Sequence, residues 1–192
     1  MEDIEFKTET KKFKYRVNGI VIYNNKLLTI KMKNNISYCL PGGHVELGED
    51  TKTAILREML EELDTPVSID KELAFVENFY LDKKGFETHE LSFYYIVKPD
   101  NFEKIPLHNY SRTENDKGEI KIHNFEWLEI SSLKDFDFRP EFLKDKLING
   151  IYDTTFSPKC NICFRILCQF RGFFLPRNFF DLFCVRLLTN AA

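Results

Sequence analysis

Apolar residues recur along this chain at two alternating periods. From Tyr15 to Tyr23, the β-branched residues Val17, Ile20, Val21 and Ile22 predict a strand. Asn24-Asn25 follows, and asparagine tolerates the positive φ of a tight turn. From Lys26 to Lys33, Leu28, Ile30 and Met32 alternate with Thr29, Lys31 and Lys33, which completes a hairpin. Pro41-Gly42-Gly43 breaks the alternation. Between Asp50 and Leu63 the period becomes helical, with Ile55, Leu56, Met59, Leu60 and Leu63 in one stripe. Asp50 or Thr51 is placed to cap this helix, acidic residues at its start suit the dipole, and Pro66 closes it.

Leu73 to Leu81 and Phe86 to Val97 read as strands around the turn Asp82-Lys83-Lys84-Gly85. A long polar loop is expected from Asn101 to Lys117, of the kind that often carries substrate contacts. Phe125 to Ile130 alternates and predicts a last strand, and Pro140 to Ile148 a closing helix on Phe142, Leu143 and Leu147. Strands and helices mix without strict βαβ alternation, so the expected class is α+β, a mixed sheet flanked by helices.

Charge divides the chain. Residues 1–152 carry 22 Lys and Arg against 28 Asp and Glu, net −6, whereas residues 153–192 carry 5 against 2, net +3. The last 40 residues also hold 8 of the 19 Phe and 4 of the 5 Cys. This predicts one domain over 1–152 and a basic Cys/Phe-rich tail over 153–192 that is not part of it. The whole chain is net −3, without the basic field that would hold a nucleic-acid polymer. No run of 18 apolar residues predicts a membrane span, and the charged start lacks a signal-peptide core, so a cytoplasmic protein is expected.

The candidate chemistry lies in the helix after Gly42-Gly43. Glu58, Glu61 and Glu62 stand at i, i+3 and i+4, on one face and one turn apart, with Glu49 just before the helix. The apolar stripe is expected opposite, so these carboxylates should point away from the core. Any one glutamate on a helix reads as a solvated face. Together they repel, and a divalent cation relieves that repulsion. Oxygen donors without His or Cys suit Mg²⁺ or Mn²⁺, and the glycine pair lets backbone approach the same ion or a phosphate.

Gly43, Glu49, Arg57, Glu58, Met59, Glu61 and Glu62 fall in the register of the Nudix hydrolase signature, and the segment resembles that family. Chance agreement of this kind is on the order of 10⁻⁷ per starting position at ordinary residue frequencies. Two positions depart: Asp64 stands for the signature glycine and Thr65 for an aliphatic residue. Asp64 would occupy a left-handed helix end, which Asp tolerates less well than Gly.

The resemblance implies an α/β/α sandwich and Mg²⁺- or Mn²⁺-dependent hydrolysis of a diphosphate bond in a nucleoside triphosphate, nucleotide sugar or dinucleoside polyphosphate. It implies Glu61 and Glu62 as main metal ligands, Glu58 as a further ligand or the base, Gly42 as a carbonyl ligand, and Arg57 as the residue that orients Glu58. Glu61 enters the catalytic set on the same ground. A later carboxylate, among Asp100, Glu103, Glu114 and Glu119, is the other candidate for the base. The alternative is a Nudix-like module that senses a nucleotide without cleaving it; such modules typically lose signature carboxylates, and all are present here.

Glu49, Glu90 and Tyr80 are the remaining candidates for substrate contact. In relatives, a Tyr near the distance of Tyr80 from the signature accompanies dinucleoside polyphosphates, and a Pro there, absent here, accompanies ADP-ribose. In the tail, Cys160, Cys163, Cys168 and Cys184 have poor spacing for zinc. The tail's phenylalanines would pack on the body or self-associate, which leaves a homodimer among the expected assemblies.

Overall fold

The computed structural model describes residues 2–32, 36–116 and 118–150. The expected domain boundary and the four tail cysteines therefore lie outside the described residues.

Among the described residues, ten strands and two α-helices follow in order: β1 (Glu5–Lys7), β2 (Lys11–Ile20), β3 (Ile22–Tyr23), β4 (Lys26–Lys31), β5 (Ser37–Cys39), α1 (Thr51–Leu63), β6 (Val67–Leu81), β7 (Glu87–Pro99), β8 (Tyr110–Asp116), β9 (Glu119–Glu129), β10 (Asp137–Phe138) and α2 (Phe142–Ile148). One sheet has the order β1-β2-β7-β6, with β2 and β7 parallel and the outer pairs antiparallel. The second runs β10-β5-β4-β9-β8, with β3 paired to β4. Its β10–β5 pair is parallel and the others are antiparallel.

Consecutive strand residues feed two different cores. Val17, Val21, Leu28, Tyr95 and Val97 pack with Ala54, Ile55, Met59 and Leu63 of α1. Ile20, Leu27, Tyr94 and Ile96 pack with Leu143 and Leu147 of α2. Side chains alternate across a strand, so these strands are covered on both faces, one helix to each. That is the α/β/α arrangement. It also explains the unbroken apolar run Tyr94 to Val97, all buried.

The Asn24-Asn25 turn forms with both φ positive, at 47° and 60°, and joins β3 to β4. One expected loop is in part a strand, and the start of the chain adds a strand that the residue pattern did not predict. The polar start contributes β1, paired with an extended β2 at Phe6↔Phe13. The polar stretch after Asn101 contributes β8, which pairs with β9 from Tyr110↔Phe125 to Asp116↔Glu119. In both cases backbone pairing to an existing strand suffices, and it needs no apolar alternation.

Candidate active site

Asp50 is the cap of α1, its side chain accepting from the Thr53 amide at 2.8 Å. Asp64 ends the helix in the left-handed region, φ 54° and ψ 31°, as its place in the signature requires, and its amide donates to the Leu60 carbonyl at 2.9 Å. The expected facing of the helix is corrected. Its buried face is Ala54, Ile55, Glu58, Met59, Glu62 and Leu63. Leu56 and Leu60, expected in the stripe, are exposed at 39% and 49%. Glu58 and Glu62 thus point inward, because the loop before α1 lies over that flank, its Gly42 amide donating to Glu62 and Gly43 lying against the Glu58 carboxyl group.

That loop is bonded along β2. The Val17 amide donates to the Gly43 carbonyl at 3.0 Å, and the Val45 amide to the Tyr15 carbonyl at 2.9 Å. Gly42 has φ +133°, and a Cβ there would run into the Val17 carbonyl and Asn18 Cα. At Gly43 a Cβ would occupy the place of the Glu58 carboxyl group. The glycine pair is therefore the floor on which Glu58 rests.

Arg57 is the centre of the cluster. Its Nη2 donates to Glu49 at 2.6 Å and to the His44 carbonyl at 3.0 Å. Nη1 donates to Glu58 at 2.9 Å and Glu61 at 3.1 Å, and Nε to Glu49 at 3.3 Å. Glu46 lies 3.8 Å from Nε. Glu62 accepts from the Gly42 amide at 2.9 Å and lies 3.7 Å from His123 Nδ1. Side-chain exposure separates Glu49, Glu58 and Glu62, all buried, from Glu61 at 43%.

Four carboxylates share one guanidinium, and the site carries surplus negative charge in a poorly solvated place. The titration of its members reflects this. Burial pushes the Glu58 carboxyl up to about 7, with Glu61 adding to the rise and Arg57 opposing it. Burial also raises Glu49, but the Arg57 hydrogen bond and the Glu46 amide outweigh it and hold Glu49 below the usual carboxylate range. Arg57 resists its own burial through Glu49 and Glu58 and stays charged.

The donor set fits a hard divalent cation: every side-chain donor on the helix is oxygen, and the charge excess is what a cation would balance. Arg57 currently draws Glu49, Glu58 and Glu61 to itself, and among the described residues no three His, Cys, Asp or Glu side chains are gathered to hold a metal ion.

Tyr80 and Glu90 are brought together, the Tyr80 hydroxyl donating to Glu90 at 3.0 Å. Both line a cavity of about 550 Å³ with Arg16, Asn18, Asn78 and Arg139. His89 lies on the other face of β7, 2.8 Å from Glu77 and stacked on Phe79 at 4.4 Å. Arg16 joins the cavity to the carboxylates, donating from Nη2 to the Gly42 carbonyl at 3.2 Å. Sequence reasoning missed Arg16, Glu46 and His123. All three become visible only through the folded neighbourhood.

Among the described residues no helix is long and apolar enough to cross a membrane. An "ADP-ribose pyrophosphatase" of Methanocaldococcus jannaschii is 36% identical over 84 residues, a match covering 42% of this chain and 48% of that protein. The chain thus spans about half the length of that curated relative. Similar solved structures include a NUDIX hydrolase from Nitrosomonas europaea, with TM-score 0.50, 19% identity, and 72% of this chain and 88% of that chain covered. A NUDIX-family hydrolase from Clostridium perfringens has TM-score 0.50 and 17% identity, with 71% and 97% covered. At such identities these two support the fold alone. The NUDIX domain model matches residues 13–146, more than half of the sequence and all of the site just described, and the chain belongs to the NUDIX family.

Proposed function

We propose that this protein hydrolyses a diphosphate bond in a nucleoside diphosphate derivative, with Mg²⁺ or Mn²⁺ as its metal. One observation carries the reading. Glu46, Glu49, Glu58 and Glu61 converge on the single Arg57 beside a glycine floor, with Glu62 on the Gly42 amide. Glu58, Glu61, Glu62 and the Gly42 carbonyl would hold the ion. When bound, such an ion supplies positive charge to the diphosphate and acidifies water.

The chain's own residues do the rest. Arg57 fixes the Glu58 carboxylate through Oε1, which leaves Oε2 to accept a proton from water. Burial holds this carboxyl group above the ordinary glutamate range in the metal-free protein. Glu49 anchors Arg57 in turn, so it supports the site from behind. The adjoining cavity, with Tyr80 and Glu90, accepts the rest of the substrate. The retained carboxylates favour an enzyme over a sensing module.

The test is a panel of nucleoside triphosphates, ADP-ribose, nucleotide sugars and dinucleoside polyphosphates with Mg²⁺, read by product chromatography in ¹⁸O-labelled water. The archaeal relative's name makes ADP-ribose the first compound to try. Cleavage between phosphorus atoms with label in one product is expected. Absence of cleavage across the panel overturns the reading.

A further inference from the structure

The outer N–H and C=O groups of an edge strand have no ladder to join, and proteins guard such edges with short strands, bulges or charge. In the sheet β1-β2-β7-β6 the edges are β1 and β6. β1 is three residues long. β6 is fifteen, and its two halves differ. The first half is guarded. Register shifts fall between Ile69 and Lys71 and between Glu72 and Ala74, and Asp70 pairs with Lys98 at 3.0 Å. The second half, Phe75 to Leu81, pairs with β7 residue by residue without a shift. Its one charged residue is Glu77, and that carboxylate lies 2.8 Å from His89 of β7.

The second half is also apolar where it meets water. Phe75, Phe79 and Leu81 are exposed at 51%, 68% and 70%. They share one face with Glu77, while Val76, Asn78 and Tyr80 share the other. Every residue from Asn78 to Leu81 is exposed, on both faces. Among the described residues no strand pairs with the outer edge of β6. A straight edge of β-branched and aromatic residues without lysine, proline or bulge is a template for another strand. At about 150–250 Å² for a whole side chain, Phe75 and Phe79 leave roughly 180–300 Å² per copy in water. With Tyr80, Leu81 and the strand edge, two copies approach the low end of specific interfaces, about 1,000 Å², which suits a reversible dimer.

We infer that Phe75–Leu81 is a self-association edge: the β6 strands of two copies of this chain pair antiparallel about a two-fold axis at Asn78. Charge and self-matching select the occupant and the register. An axis through a residue keeps like faces together. An axis at Glu77 sets two carboxylates directly opposite, which is destabilising. An axis at Asn78 aligns all seven residues: Phe75 with the partner's Leu81, Val76 with the partner's Tyr80, and Glu77 with the partner's Phe79. An axis at any other residue of the segment aligns five or fewer. On the axis, the two Asn78 amides face each other, and each can donate and accept. Val76, Asn78 and Tyr80 also line the cavity of about 550 Å³, so this pairing sets the cavities of the two copies on either side of one seam.

The experiment uses the full chain. Sedimentation velocity across a wide range of concentration should show monomer and dimer in exchange. Amide hydrogen exchange over Phe75–Leu81 should slow as concentration rises, while exchange over β1 should not change. Phe79→Glu places a carboxylate opposite the partner's Glu77 and should weaken the dimer at least about 10-fold. Phe79→Lys loses the same ring but meets the partner's Glu77 with opposite charge, so it should weaken the dimer less. Glu77→Lys combined with Phe79→Glu restores opposite charges and should recover most of what Phe79→Glu loses. Phe6→Glu, on the far edge of the sheet, should leave the dimer unchanged.

A chain that is monomeric at every concentration overturns the inference. So does a dimer indifferent to Phe79→Glu or lost in Phe6→Glu, since either places self-association elsewhere in the chain. A dimer whose Phe75–Leu81 amides exchange at the same rate at every concentration overturns the strand pairing. Equal loss in Phe79→Glu and Phe79→Lys overturns the axis at Asn78. Phe79 is stacked on His89 at 4.4 Å, so melting of the dilute monomer checks that Phe79→Glu still folds. If it folds poorly, Phe79→Lys, the double variant and exchange in the wild type keep the test open.

Discussion

Gly42 and Gly43 are adjacent, yet a methyl group added at each should fail in a different way. At Gly43 the backbone is open to any residue, and the three nearest atoms to an added Cβ all belong to the Glu58 carboxyl group. That group is the far end of a flexible side chain, so Gly43→Ala moves the carboxylate and spares the backbone. Turning Glu58 off its rotamer costs about 0.5–1.5 kcal/mol. Losing its bond to Arg57 adds to this, while release from burial and a less flexible unfolded chain offset it, the latter by about 0.4–1 kcal/mol. The net loss should be about 1 kcal/mol, or roughly 2–4 °C in Tm. Turnover should fall at least ~10²-fold, since a misplaced base by about 1 Å is enough for that.

At Gly42 the conflict is with the Val17 carbonyl and Asn18 Cα, at a φ of +133° that side-chain-bearing residues rarely adopt. Neither β2 nor the loop can yield without losing the Val17–Gly43 bond, so Gly42→Ala should lose on the order of 3 kcal/mol or more. Denaturant unfolding beside initial rates with Mg²⁺ separates the two. A Gly43→Ala protein with normal turnover, or one as unstable as Gly42→Ala, would refute the placement of Glu58 on Gly43.

Four further outcomes follow from the same geometry. Glu62→Gln and Glu61→Gln should each lower turnover by at least ~10²-fold while leaving unfolding midpoints near wild type; normal rates at saturating Mg²⁺ would remove both from the metal site. A chelator should abolish hydrolysis, and Mg²⁺ or Mn²⁺ should restore it; full activity with chelator in excess refutes a metal requirement. Because Glu58 has its carboxyl raised from 4.5 to about 7, the metal-free protein should lose stability as pH rises through that window, by up to about 3 kcal/mol. Glu58→Gln should flatten that slope, and identical melting–pH curves for the two would contradict it. Asp64→Gly should gain a few tenths of a kcal/mol, since relief of the left-handed backbone competes with loss of the exposed Arg112 ion pair at 3.4 Å; the gain should grow in an Arg112→Gln background.

What was legible in the sequence depended on how local its cause is. The Asn24-Asn25 turn, the cap at Asp50 and the left-handed Asp64 are set by each residue's own backbone preferences, and all three formed as read. The signature also announced which residues gather. Their facing was not local. Ile55, Met59 and Leu63 lie in the middle of the buried face, and period alone leaves either flank open, Leu56 and Leu60 on one side or Glu58 and Glu62 on the other. Hydrophobicity votes for the leucines. The decision came from the loop outside the helix, with the Gly42 amide for Glu62 and the glycine floor for Glu58. Strand β8 escaped notice for a related reason, since an edge strand is held by backbone bonds to β9 whatever its side chains are.

Arg16 is the clearest instance. An arginine among alternating strand residues reads as a solvated position, because nothing within ten residues says otherwise. It acquires chemistry only when the loop of Gly42 crosses β2 and the Tyr80–Glu90 pair closes over the same face. A signature of fixed spacing can record the helix that carries the carboxylates. The cavity beside that helix is lined by residues from strands far apart in the chain, so its shape and chemistry are free to change while the signature stays in place.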